Sequence, residues 1–439
     1  MNEHIDLERL VAETLAHEGV STPSDAFYDE LISRAGRSSQ RPEWLALVKE
    51  PTMRTNSHLT VGSPAARFAA LMVATLLAAL MVAGAAFAGA QLLAADGTIV
   101  VDQNDPDAVQ TISEAVAMAE DGGTILVRPG IYVEAVIVDK DIMLRGDGPR
   151  DDIVIMAPED GPTAVIQGEG GEQDPYAILL QDTTATLSGL TFRGEPAEVI
   201  ASGGAPVLED LLFDATGFPY DGSTTSARGS SIVINGGSTA TVQRNTLIGG
   251  GPIGVFDMSE PLISENTLIG GPHMWGGYGD GAVIRDNTIE GALQRAIGMF
   301  DAASPTIAGN TITDPGTVGI DVWTGSPTID GNTISGAAVA AVSVGSGGTT
   351  ITNNQLLDNA MAIRWGGSPT GVIGDNRVSG GKAGIVIDLG SPEVRGNTVT
   401  GVEERGIDVG SGASPTLTGN RSCENGVNLF VAEGAEPVI

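Results

Sequence analysis

The chain has 439 residues, of which 41% are apolar, 4% aromatic and 61 glycine, with a formal net charge of −33 and a single cysteine, Cys423. The acidity disfavours nucleic acid and anionic lipid surfaces as partners, and one cysteine cannot form an internal disulfide. Few aromatics and many glycines argue against a large helical enzyme and suit short strands joined by tight turns.

In chain order, residues 1–67 read as a small helical segment. HIDLERLVAETLAHEGV puts Leu7, Leu10, Val11 and Leu15 at helical spacing. DAFYDELISRA, after Thr22-Pro23, reads as a second helix. His4, His17 and His58 have no cysteine partner nearby, so no zinc site is expected. From Phe68 to Ala95 no residue is charged. That run exceeds the roughly 20 residues needed to cross a bilayer. The AFA at Ala86–Ala88 resembles a cleavage site, but the preceding segment is too long for a signal peptide. Lys49, Arg54 and Arg67 precede the run, and no Lys or Arg follows until Arg128. This bias predicts a single transmembrane helix over 68–95, with a cytoplasmic N-terminus and residues 96–439 outside the cell.

The outer region opens with DAVQTISEAVAMAEDGG. Val109, Ile112, Val116 and Met118 or Ala119 share one helical face, followed by the strands TILV, AVIV and IMLRG. A helix there would plug the first coil of a stack and hide its sheet edge. LSGLTF and LEDLLF follow, with Leu190 and Leu211 at a turn, and then an insertion around GFPYDGSTTSARG.

From there a phrase recurs, as in SPTIAGNTIT from Ser304 and SPTIDGNTIS from Ser326. Its asparagines are Asn245, Asn266, Asn287, Asn310, Asn332, Asn354, Asn376, Asn397 and Asn420, spaced 21 to 23 residues apart. An aliphatic residue stands three positions before each Asn and, except at Ser422, two positions after it. Apolar alternation predicts strands with one buried face. One repeat cannot bury that face, but stacked coils of about 22 residues can. Each Asn falls where the chain bends between strands, so its amide is expected to bond the turn backbone and the Asn of the next coil.

These residues resemble right-handed parallel β-helix proteins of the pectin-lyase-like superfamily. TISEAVAMAEDGGTILVRPGIY and the GNTI-type repeats look like its carbohydrate-binding and sugar-hydrolase modules, including NosD-like periplasmic proteins. The resemblance spans roughly residues 98–435. It implies an all-β, single-stranded right-handed parallel β-helix, here of about 12 coils, with an N-terminal capping helix. The transmembrane helix and the short helical cytoplasmic segment precede it.

The resemblance does not carry an activity, because the same repeats serve enzymes and non-enzymes. The polygalacturonase-like Gly-His-Gly and Arg-x-Lys are missing, and GPHM at Gly271–Met274 lacks the acids of an epimerase-like run. The strand before each SP turn is the informative element. With its aliphatics inward, Phe256, Phe300, Asp321, Trp323, Arg364, Asp388 and Asp408 point outward along one stripe. Trp275 and Tyr278 lie in an apparent insertion, GGPHMWGGYGDG. Phe256, Trp275, Tyr278, Phe300 and Trp323 are the candidate sugar-stacking residues. Asp321, Arg364, Asp388, Asp408 and the lone outer histidine, His273, are the candidate catalytic groups. No cofactor is required, and Ca²⁺ is the ion the acidic positions suit. The expected function is membrane-anchored binding of a polysaccharide or cell-surface glycan. A polysaccharide lyase or glycoside hydrolase acting at the same face, and a structural spacer or adhesin, are the alternatives.

Overall fold

The computed structural model describes residues 97–165, 173–194, 199–216, 231–249, 251–271, 273–300, 304–367 and 370–439. The expected N-terminal helices, the run 68–95 and the GFPYDGSTTSARG insertion lie outside the described residues. Among those described, no helix is long and apolar enough to cross a membrane.

From residue 97 onward the described residues wind as a three-sided right-handed coil of parallel strands. Sheet A has fourteen strands, from Thr98–Val101 to Thr416–Thr418, and sheets B and C have thirteen each. The stack therefore makes about 14 turns rather than the expected 12. The surplus lies at the N-terminal end, where rungs such as Thr98–Val101 and Thr124–Val127 have no repeat phrase and are separated by a helix.

Most strands are three residues long, commonly with a buried central residue between two more exposed ones, as in Thr241–Gln243 and Thr333–Ser335. The central residue points inward and stacks on its counterpart one rung away. Val242, Ile263, Ile284, Ile307, Ile329, Ile351, Ile373, Val394 and Leu417 form one such column. β-branched side chains suit it, because their stiff χ1 packs well on a pleated surface.

The nine asparagines form a second column, at the corner between sheets A and B. From Asn245 to Asn397, each backbone N–H donates to the next asparagine's Oδ1 at 2.8–3.0 Å. Each Nδ2 donates to the same oxygen at 2.9–3.0 Å. The residue before each Asn is left-handed, with φ of 56–66° whether it is Gly309, Gly331 or Arg244. That conformation turns the chain within two residues, and the amide satisfies backbone groups that the turn would otherwise strand. Leu190 and Leu211 occupy the same corner position upstream, as expected, and the Leu211 N–H donates to Asn245 Oδ1 at 2.9 Å. Two further amides were not legible from the repeat. At the corner between sheets B and C, Asn359 Oδ1 accepts from the Ala337 N–H and Asn425 Oδ1 from the Val402 N–H, both at 3.0 Å.

Helix α1 (Ile112–Met118) packs Ile112, Ala115 and Val116 against the first rungs. Thr111 caps it by accepting from the Glu114 N–H at 3.1 Å. The Glu134 carboxylate accepts from the N–H groups of Ile112 and Ser113 at 2.8 and 2.9 Å. At the other end Lys140 Nζ donates to the carbonyls of Val116, Ala117 and Ala119 at 2.8–3.0 Å. Both charges complement the helix ends. Lys140→Met strands three carbonyls and should cost about 1–2 kcal/mol. Hydrogen exchange should show residues 98–119 losing protection before the rest of the stack. Uniform loss would mean that the cap is not a separate unit.

Candidate functional site

Sheet C carries the strands that precede the SP turns, and its outer face holds the predicted stripe. The structure resolves the stripe into two columns. In the first, Gly254, Trp275, Gly298, Asp321, Ser343, Arg364, Val386, Asp408 and Phe430 lie in register. The second follows two residues later, where the ladder continues through N–H donation from Phe256, Gly277, Phe300, Trp323, Gly345, Gly366, Asp388 and Gly410.

The proposed aromatic set does not form one exposed row. Phe256 is buried with Tyr176, Ile200 and Val233 in a second apolar cluster, on the outer side of sheet C. Ala164, from the hairpin strand Thr163–Val165, packs against it. Trp275 is no insertion residue. Met274–Gly276 is itself a sheet C rung, and its indole lies over Gly298, where a Cβ would stand 2.6 Å from Trp275 Cε3. Tyr278 turns inward and is fully buried in the main core. Burial pushes its hydroxyl pKa up, and its oxygen has no hydrogen-bond partner. Because an orphaned buried hydroxyl destabilises by about 1–3 kcal/mol, Tyr278→Phe should raise stability by about 1 kcal/mol. A lower urea midpoint for the variant would refute this.

Trp323 is the aromatic that reaches solvent, at 44% exposure, with Phe300 half-buried one rung above it. It is also clamped. Its Nε1 donates to Asp321 Oδ2 at 2.8 Å. The same oxygen accepts from Arg295 Nε at 3.1 Å. The Arg295 guanidinium lies against two indoles, with Cζ 5.1 Å from the ring centroids of both Trp275 and Trp323. The two indoles meet edge-on at 5.3 Å, and Trp275 also contacts Phe300 at 4.8 Å. Cation–π attraction and the shared carboxylate hold the Trp323 ring in one orientation.

Below Trp323 its column offers no side chain for two rungs, at Gly345 and Gly366, until Asp388. Ser343 and Arg364 line the flank from the neighbouring column. The result is a shallow trough three rungs long, about 14 Å at ~4.8 Å per rung. Arg364 Nε meets Asp388 Oδ2 at 3.2 Å across its lower end, with both side chains about half exposed.

Of the catalytic candidates, the structure pairs Arg364 with Asp388 and gives Asp321 and Asp408 other partners. Asp321 is committed to Arg295 and Trp323, Asp388 to Arg364, and Asp408 to Arg405 at 2.7 Å. His273 is 4% exposed and lies near the Arg295 charge. Burial first, and then the Arg295 charge, lower its pKa to about 4 against a backbone hydrogen bond to Gly271 that raises it. Among the described residues no three Asp, Glu, His or Cys side chains gather as a cation cage. A polar groove lined by Asn353, Gln355, Asp375, Arg377 and Thr398 lies on sheets A and B, away from the aromatic clamp.

Comparison with known proteins agrees with this architecture. Residues 176–334 and 273–422 match the family described as "Right handed beta helix region". No curated protein matches the chain. The catalytic domain of a GH87 alpha-1,3-glucanase in complex with nigerose is similar in fold, with a TM-score of 0.50 and 11% identity over 79% of this chain and 68% of that one. The alginate lyase AlyF-OU02 gives a TM-score of 0.46 and 15% identity over 75% and 87% of the two chains.

Proposed function

The chain belongs to the right-handed β-helix family, and from that premise we propose that it binds carbohydrate in the sheet C trough below Trp323. The observation that carries this reading is the clamped, half-exposed Trp323 indole above a glycine floor. A rigid aromatic face stacks on the apolar C–H face of a sugar ring without a large entropic cost. The glycines leave room for successive rings, and Ser343, Arg364 and Asp388 offer hydrogen bonds to hydroxyls. The fold relation to a GH87 alpha-1,3-glucanase is in keeping with a carbohydrate-related role. The uncharged run 68–95 supports anchoring by one helix, with the β-helix outside the cell.

The test is a glycan array with the full chain, with and without Ca²⁺, followed by product analysis on each hit. Trp323→Ala should weaken binding about tenfold, equivalent to ~1.4 kcal/mol. Unchanged glycan after incubation supports a binding role. New reducing or unsaturated ends would establish the lyase or hydrolase alternative instead.

A further inference from the structure

The charges around the trough restrict which carbohydrate it suits. Three arginines lie on the sheet C strands, Arg295, Arg364 and Arg405, and each is matched to a carboxylate, at 3.1, 3.2 and 2.7 Å. Lys382, in the turn beside the sheet, meets Glu404 at 3.6 Å. Arg295 is further enclosed, 14% exposed, against its two indoles. The face therefore offers no unneutralised cation among its described residues, on a chain of net charge −33.

Resting on the reading of this trough as a glycan site, we infer that it takes an uncharged glycan and rejects polyuronates. A sugar hydroxyl both donates and accepts. The exposed Arg364–Asp388 pair presents donors and acceptors side by side, so neighbouring hydroxyls can bridge it without breaking it. A uronate carboxylate only accepts. The Arg364 η N–H groups that could receive it share their one positive charge with Asp388, so binding there places two carboxylates beside one guanidinium. The long-range field of the acidic chain opposes a polyanion in the same direction. Rejection thus comes from a built-in repulsive group as well as from the absence of an attractive one. Neutral chains lose nothing on either count.

The experiment titrates the full chain, followed by tryptophan fluorescence and calorimetry, with neutral gluco-, manno- and galacto-oligosaccharides and with oligogalacturonate and oligomannuronate of equal length. Neutral chains should bind with little change between about 0.02 and 0.5 M salt, whereas screening should matter for a charged one. The uronates should bind at least about tenfold more weakly. Asp388→Asn frees Arg364, and should raise uronate affinity several-fold while leaving the fold intact by circular dichroism. Uronates binding more tightly than neutral chains, or no uronate gain in Asp388→Asn, would overturn the charge argument and leave glycan binding standing. Binding of neither class would overturn the site itself.

Discussion

Asn332→Leu is expected to lower stability by about 2 kcal/mol, because it strands an interior backbone N–H at ~1–3 kcal/mol and removes a link in a continuous chain of amides. In the native ladder Asn332 Oδ1 accepts from the Asn310 N–H at 2.9 Å and from Asn310 Nδ2 at 2.9 Å. Its Nδ2 donates to the Ile307 carbonyl at 2.9 Å and to Asn354 Oδ1 at 3.0 Å. A leucine, branched at the same carbon, leaves the Asn310 N–H with nothing to bond and takes one of its donors from the Ile307 carbonyl, which keeps its place in the sheet A ladder; neither Asn310 nor Ile307 is exposed to water. Asn354 Oδ1 keeps the Asn332 backbone N–H as a donor, so the damage falls on the rung above. Upstream, the Leu211 N–H is likewise served by the Asn245 side chain, at 2.9 Å. Urea unfolding reads the total. Hydrogen exchange should place the loss of protection at rungs 306–335. A cost below about 1 kcal/mol would show that the ladder contributes alignment rather than stability.

The second large effect is a pH dependence centred on His273. Its native pKa is lowered to about 4 from 6.5 by burial and by Arg295. Between those values the unfolded chain binds a proton that the native site refuses, so stability rises with pH across the window. The contribution is fully present above pH 6.5 and is lost as pH falls towards 4. At about 1.4 kcal/mol per unit, the loss amounts to about 3 kcal/mol. The chain also carries 55 acidic residues, so the informative quantity is the difference between the native chain and His273→Gln. Urea midpoints measured from pH 7.5 to 4 should fall more steeply for the native chain. Parallel curves would mean that the buried imidazole accepts its proton in the folded state.

Much of this molecule was readable in one dimension. The 21–23-residue spacing, the aliphatic flanks and the recurring Asn encode a stack, because each rung needs only its neighbours to bury its inner face. The nine asparagines, the corner leucines Leu190 and Leu211 and the cap helix all stand where periodicity puts them. The amides Asn359 and Asn425 escaped notice because their corner carries no repeated residue type.

The outer face was less legible. Strand alternation separates inward from outward positions, but it does not say what covers an outward side chain. Phe256 is outward in register and yet buried by an added cluster. Tyr278 follows a rung disguised as an insertion and turns into the core. Trp275, Arg295, Asp321 and Trp323 come from three consecutive rungs, and their clamp exists because Gly298 leaves space between them. The sequence by itself determined the winding, the inner columns and the amide ladder, since those depend on contacts that repeat at a constant spacing. The tertiary structure alone decided which aromatic meets water, which arginine is neutralised and where the trough lies. Those depend on non-repeating side chains that meet across rungs, and such meetings leave no period for a sequence to show.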